Sequence, residues 1–179
     1  EFSGDDGVSW SVLASNVAPT NSSILWNSTA VPSTILGRWR VVSEVNTNIL
    51  AQTFSTFAVR NGPIPFYLND DVTTGDVYTT TFGLDTRTGA FPATPMKSLS
   101  ALLDRYDLEA GDIVYLDSGV YTNSATITID QLDAGFRLQG STNSVAGGSL
   151  LLFSNVTEGI RIFEAGFTEL RNVRMRGPD

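Results

Sequence analysis

From Ile113 onward, short apolar runs recur between turn residues. Ile113–Leu116, Ala125–Ile129, Phe136–Gln139, Leu150–Phe153, Ile160–Phe163 and Leu170–Met175 each read as a strand. Asp133-Ala134-Gly135, Gly140-Ser141-Thr142-Asn143 and Gly147-Gly148 supply the turns between them. Similar features return at intervals of roughly 20 to 25 residues, the length of one rung of three strands. Upstream, Val8–Leu13 and Ser23–Trp26 alternate, Gly37–Ser43 is strongly strand-like, and Phe54, Phe57 and Val59 mark another strand. Helical spacing occurs once, where Leu99, Leu102, Leu103 and Tyr106 give an apolar stripe over about 97–106. Thr94 or Ser98 caps that helix, and Pro95 fits its first turn. So short a helix is marginal alone in water, so its stripe must be buried against another element. The fold class is all-β.

Asn61-Gly62-Pro63-Ile64-Pro65 divides the chain. Two prolines so close hold the backbone extended and stiff, which makes this a linker between residues 1–62 and 63–179. Residues 1–7 are rich in Gly and Asp and are expected to be mobile. The first part is short for a seven-strand sandwich. At least two of Trp10, Trp26 and Trp39 read as its core anchors, with a sugar-stacking platform as the alternative.

The motifs from Phe66 to Tyr121 fall in a telling order. Gly83-Leu84-Asp85-Thr86-Arg87-Thr88-Gly89 is followed by Pro92-Ala93-Thr94-Pro95, by Ser98-Leu99-Ser100-Ala101-Leu102-Leu103, by Gly111-Asp112-Ile113-Val114-Tyr115-Leu116 and by Gly119-Val120-Tyr121. This order resembles the entry segment of right-handed parallel β-helix proteins of the extracellular, pectate-lyase-like kind. The resemblance implies a short amphipathic helix plugging one end of a solenoid and a Gly-Asp turn launching the first rung. It implies two to three rungs here, with no second cap before Asp179. It also implies that the parent polypeptide continues, or that another chain covers that edge. Trp26-Asn27, Gly37-Arg38-Trp39-Arg40-Val41 and Phe57-Ala58-Val59 resemble the later half of an Ig-like or fibronectin-like β-sandwich module, as found in large bacterial surface proteins.

Charge and composition narrow the chemistry. Eleven Lys plus Arg stand against 19 Asp plus Glu, a formal charge of −8. Nucleic-acid backbones need clustered cations, so this balance argues against such a partner. Arg171, Arg174 and Arg176 form a small basic group that reads as solvated outward positions of a strand. The chain has no Cys and no His. Disulfides, thiolate metal sites and every nucleophile–histidine arrangement are thereby excluded. No apolar run approaches the roughly 18 to 20 residues that span a bilayer. Low Lys, abundant Thr, Ser, Asn and Gly, and zero Cys suit an extracellular or cell-surface protein. The Glu1-Phe2 start reads as that of a mature or cut fragment. Asn21, Asn27 and Asn155 head Asn-x-Ser/Thr triplets, expected by chance in a chain this rich in Ser and Thr.

The densest acidic cluster is Asn69-Asp70-Asp71-Val72-Thr73-Thr74-Gly75-Asp76. Clustered carboxylate and amide oxygens suit Ca²⁺, so Asn69, Asp70, Asp71 and Asp76 are the candidate ligands. A solvated turn held by Asx hydrogen bonds explains the same residues. Asp85 and Asp112 are expected to satisfy backbone donors. Asp117 and Asp130 could form a carboxylate pair on neighbouring rungs for acid–base work, with outward-facing strand-end residues as the alternative. Lyases and epimerases of the resembled family use a Lys, Arg or His base, and the single lysine, Lys97, falls on the capping helix. No catalytic residue is therefore assigned, and no cofactor other than Ca²⁺. The leading expectation is a structural or adhesive part of a large extracellular protein, self-assembling into filaments through exposed β-helix ends. Its partners would be the remainder of a longer polypeptide or identical subunits stacking on the last rung. The alternatives are a fragment of a polysaccharide lyase or epimerase with catalytic rungs downstream, and a carbohydrate-binding module taking a glycan.

Overall fold

Alternation of buried and exposed side chains sets the architecture of the computed structural model, which describes residues 1–166 and 168–177. The chain is mostly β, with a lone short α-helix among the described residues. It divides into two compact units, Glu1–Gly62 and Pro63–Asp179.

In the first unit, β1 (Phe2–Ser3), β2 (Thr34–Val42), β3 (Leu50–Gln52) and β4 (Phe57–Val59) form one antiparallel sheet in which every other strand pairs with β2. Phe2 lies opposite Trp39, and Val41 lies opposite Ala51. The register on β4 shifts between Thr34 and Gly37. There a β-carbon at Gly37 would sit 2.7 Å from the Phe57 carbonyl oxygen, so only glycine allows the two backbones to approach. Phe2, Ile35, Leu36 and Val59 are buried. Over them lies an aromatic chain, with ring centroids 4.8 Å apart for Phe2–Trp26, 5.9 Å for Trp26–Trp39 and 4.6 Å for Trp39–Phe57.

Two expected strands are not formed. Over Val8–Leu13 the Asp5 carboxylate accepts the Ser9 amide and hydroxyl, and Gly7 takes φ +90, so the backbone turns before alternation can be used. Those bonds, led by the Ser9 hydroxyl, hold the Asp5 carboxyl down to about 2. Ser23–Trp26 has no strand partner. The expected two-layer sandwich therefore differs from what is observed: the described strands of this unit make a single layer. Residues 11–33, which would supply a second layer, are dominated by Ser, Asn, Thr and Pro and favour local turns over sheet pairing.

The second unit is parallel throughout. Its strands are β5 (Pro65–Leu68), β6 (Ile113–Leu116), β7 (Gly119–Asn123), β8 (Ile127–Ile129), β9 (Arg137–Gly140), β10 (Ser149–Phe153), β11 (Ile160–Ile162), β12 (Glu169–Arg171) and β13 (Val173–Arg176). They fall into three sheets, ordered β5-β6-β9-β12, β7-β10-β13 and β8-β11. β5 and β6 pair directly in one sheet; from β6 onward the chain visits the three sheets in turn, and each return lays a strand beside the one before. Alignment is in register: Phe66, Val114, Leu138 and Leu170 form one line, and Tyr121 lies beside Leu151. Phe66, Val114 and Leu138 are fully buried, as are Leu68, Leu116 and Ile129. Their neighbours Tyr67, Tyr115 and Gln139 point outward, as period-two alternation requires. Matched positions Ile113, Arg137 and Glu169 are unevenly spaced, so the repeat has no fixed period. Asn172 takes φ +53 and splits the expected strand Leu170–Met175 into β12 and β13.

One face of this stack is closed. The helix α1 (Leu99–Leu103) is shorter than the expected 97–106, with Ser98 at its N-cap and Asp104 at its C-cap, and Met96 before it is bridged to Leu68 of β5. Ser98 caps it, accepting from the Ala101 amide at 3.3 Å, while Asp85 accepts from the Lys97 and Ser98 amides at 2.9 and 2.8 Å. Leu99 and Leu102 are buried, and α1 packs beside β8. The free edge of β5 is covered too. Tyr67 donates to the Gly89 carbonyl at 2.8 Å, the Met96 amide donates to Tyr67, and Asn69 donates to Met96.

The opposite face is open. Among the described residues no strand pairs with the outer edges of β11, β12 or β13. Between them lies a cavity of about 440 Å³ lined by Phe153, Val156, Ile160, Ile162, Leu170 and Met175.

Candidate functional site

The acidic stretch after β5 folds into a corner between the β5–β6 sheet and β7. Asn69 is buried directly after β5. Its side-chain amide donates to Asp76 Oδ2 at 2.6 Å and to the Thr81 carbonyl at 2.9 Å, and its Oδ1 accepts from the Asp70 amide. Asp70 accepts from the Val72 amide at 2.8 Å and the Val120 amide at 3.0 Å. A β-carbon at Gly119 would meet the Asp70 carboxylate at 2.2 Å, which explains the glycine opening β7. Asp71 faces away from this corner and pairs with Lys97 at 2.7 Å.

The centre of the corner is Asp117, fully buried just after β6. Its Oδ1 accepts from the Val77 and Ser118 amides, at 2.7 and 2.8 Å. Its Oδ2 accepts from the Tyr78 and Thr79 amides and from the Thr79 hydroxyl, at 2.8, 2.7 and 2.8 Å. Three successive backbone N–H groups thus wrap one carboxylate, an arrangement that suits an anion. Around it the Ser118 hydroxyl meets Gly75 and Ser141, and the Ser149 hydroxyl bridges the carbonyls of Leu116 and Asp117. Tyr121 lies beneath, its hydroxyl donating to the Asp117 carbonyl at 3.1 Å. Burial raises the Tyr121 phenol well above its ordinary range, and the charges of Asp70, Asp117 and Asp76 add to this.

Asp76 is the member with an unmet oxygen. Its Oδ2 accepts from Asn69 and, at 3.3 Å, from Thr79, but its buried Oδ1 has no hydrogen-bond partner. Burial raises its carboxyl above the ordinary value, and the neighbouring Asp117 and Asp70 push in the same direction.

Of the four candidate Ca²⁺ ligands, the fold brings Asn69, Asp70 and Asp76 together and sends Asp71 elsewhere. Among the described residues no group of three or more carboxylates is arranged to hold a metal ion. The oxygens of Asn69 and Asp70 are taken up by the chain's own donors. The corner's chemistry is to bind the segment 70–82 onto β6 and β7. Asp117 and Asp130 are engaged separately: Asp117 by the donors above, and Asp130 by the Leu132 amide, which donates to its Oδ1 at 2.9 Å. Asp85 and Asp112 do tie backbone donors, Asp112 accepting from the Ile64 amide at 2.7 Å and the Glu109 amide at 3.0 Å.

Two other places carry concentrated side chains. On the outer face of the second unit, Tyr67 stacks on Tyr115 at 5.4 Å and Tyr78 leans on Tyr115 at 4.8 Å, so the rings occupy one another's faces. In the first unit Trp39 is 46% exposed, and the Arg40 guanidinium lies 4.2 Å over Trp10. Arg174 and Arg176 do face outward, beside Leu150 and Leu152. Comparison of the chain with protein-family models, curated proteins and solved structures finds no match.

Proposed function

We propose that this chain is a structural or adhesive part of an extracellular or cell-surface protein. In this reading the second unit is the capped start of a right-handed parallel β-helix and the first, with its single antiparallel sheet, is a small β module joined to it. The observation that carries it is the contrast between the two faces of the second unit. Buried side chains and backbone bonds close one face, while apolar residues and free strand edges line the other. Such a body suits end-to-end structural joining. Its carboxylates hold backbone amides, and a chain without His or Cys and with a single Lys has few groups that could take a sugar proton. Incubation of the full chain with a panel of uronate-containing and neutral polysaccharides is the test. No release of unsaturated or shortened products is expected, and turnover of any of them would overturn the reading in favour of a lyase or epimerase.

The half-exposed Trp39 favours one second reading, glycan binding by the first unit. It requires retention of the chain on a glycan affinity gel, lost in Trp39→Ala.

A further inference from the structure

The first unit ends on a dipeptide that its backbone does not explain. Asn61-Gly62 is the one Asn-Gly pair in the sequence, and both residues are exposed. Gly62 has no positive φ, and a β-carbon there would touch only Ser33 Oγ, at 3.9 Å. Gly37, Gly83, Gly119 and Gly140, by contrast, each lie where a β-carbon would strike backbone or a carboxylate. Among the described residues no acceptor meets the Gly62 amide, whereas the Asn61 side chain works as a clasp. Its Nδ2 donates to the Ser28 carbonyl at 2.6 Å and to the Val31 carbonyl at 2.8 Å. The Ser33 hydroxyl accepts from the Asn61 amide at 3.0 Å and donates to the Gly62 carbonyl at 2.8 Å.

We propose that Asn61-Gly62 is a self-modification site, at which the chain converts its own asparagine to aspartate and isoaspartate and thereby releases the turn at 28–31. The nucleophile is the Gly62 amide nitrogen, and the electrophile is Asn61 Cγ. A bond forms between them, the Cγ–Nδ2 bond breaks, and Nδ2 leaves as ammonia with the proton that the Gly62 nitrogen gives up. The product is a succinimide ring. Water then adds to either ring carbonyl: opening at Cγ gives aspartate, and opening at the main-chain carbonyl of residue 61 gives isoaspartate. Only the chain and water take part. Glycine makes residue 62 a good attacker, since no side chain crowds its nitrogen.

The fold cannot restore what is lost. Asn61 brings two donors to two carbonyl oxygens, and a carboxylate brings none. Negative charge then faces the Ser28 and Val31 carbonyls, and in isoaspartate the main chain gains a carbon as well. Because the clasp restrains Cγ through Nδ2, attack follows its local opening.

Peptide mapping by mass spectrometry tests this on the full chain, held folded at mildly alkaline pH, where the attacking nitrogen loses its proton more readily. Asn61 is expected to show the mass change from amide to acid and to elute as two products, the isoaspartate confirmed by an isoaspartate-specific methyltransferase. The Asn-Ser pairs at Asn21, Asn27, Asn123 and Asn143 are internal controls and are expected to lag behind. Gly62→Ala is expected to slow conversion about tenfold or more, equivalent to about 1.4 kcal/mol on the barrier, with an unchanged thermal melt. Conversion is expected to be faster in urea, where the clasp is gone. Asn61→Asp, which copies one product, is expected to speed hydrogen exchange severalfold at the Val31 amide, which donates to the Ser28 carbonyl at 3.0 Å. An Asn61 that stays intact while the Asn-Ser sites convert overturns the proposal. Conversion of Gly62→Ala at the wild-type rate, or aspartate as the sole product, also overturns it. An equal rate in urea, or unchanged Val31 exchange in Asn61→Asp, overturns the part given to the clasp.

Discussion

Asp117→Ala removes one small side chain and leaves five donors without their acceptor. These are the amides of Val77, Tyr78, Thr79 and Ser118 and the Thr79 hydroxyl. A buried donor left unmet costs about 1–3 kcal/mol, and bonds to a charged group lie toward the upper end. The amides of Val77 and Tyr78 belong to partly exposed residues, so water can rescue part of the loss. Removing a buried carboxylate also returns its own desolvation cost. The net expectation is about 3–6 kcal/mol, a large share of the roughly 5–15 kcal/mol that holds a typical domain together. For a unit of this size that corresponds to a fall in melting midpoint of about 10 °C or more. Asp117→Asn keeps one acceptor but turns an amide toward donors, and is expected to fall between wild type and Ala. Circular dichroism melts give the midpoint, and hydrogen exchange gives the place: amides 77–79 should lose protection first. An Ala variant with wild-type midpoint and wild-type exchange at those amides would refute the claim that Asp117 anchors this segment.

Leu102→Asp places a charge on the buried side of α1, where desolvation without a partner costs several kcal/mol. Aggregation or loss of cooperative unfolding is expected, and a soluble variant with an unchanged midpoint would show that the helix closes nothing. Burial raises the Asp133 carboxyl to about 6, with the charges of Asp130, Asp107 and Asp104 adding to it and the Leu108 amide opposing. The folded state therefore holds that proton more tightly than the unfolded one, so this group's stabilisation is present near pH 4 and is lost as pH rises through about 6. Asp133→Asn should raise the midpoint at neutral pH and leave it near the wild-type value at about pH 4; a constant gap across that range would contradict the sign. Melts in millimolar Ca²⁺ and in EDTA should coincide, because Asn69 and Asp70 are engaged by amides and Asp71 by Lys97. A rise of several degrees with Ca²⁺ would show instead that the corner opens to an ion around Asp76.

What the sequence revealed followed the range of the interactions concerned. Period-two runs such as Ile113–Leu116 and the stripe Leu99–Leu102 are local, and they became β6 and the buried side of α1. The Asp85 and Asp112 roles were also legible, since each carboxylate sits beside a glycine turn. Asp117 was not, because the three successive amides that wrap it lie 38 to 40 residues away, and backbone donors leave no trace in the residue types. Proximity in sequence misled at Asp71, which adjoins Asp70 yet points to Lys97 at 26 residues' separation. Alternation misled at Val8–Leu13, where the Asp5 side chain competed for the backbone more effectively than a neighbouring strand.

The closed face of the second unit also sets the order in which the chain can assemble. β5 finds its partner β6 only after the whole segment from Asn69 to Asp112 has been made, and the Asp117 anchor for that segment comes later still. Such distant pairing is slow to nucleate, since the entropy of closing a long loop must be met before any ladder bond rewards it. Every later strand, by contrast, settles on a template already in place. The unit should therefore show a slow first phase, whose rate Asp117→Ala lowers, followed by fast growth in a single direction away from α1.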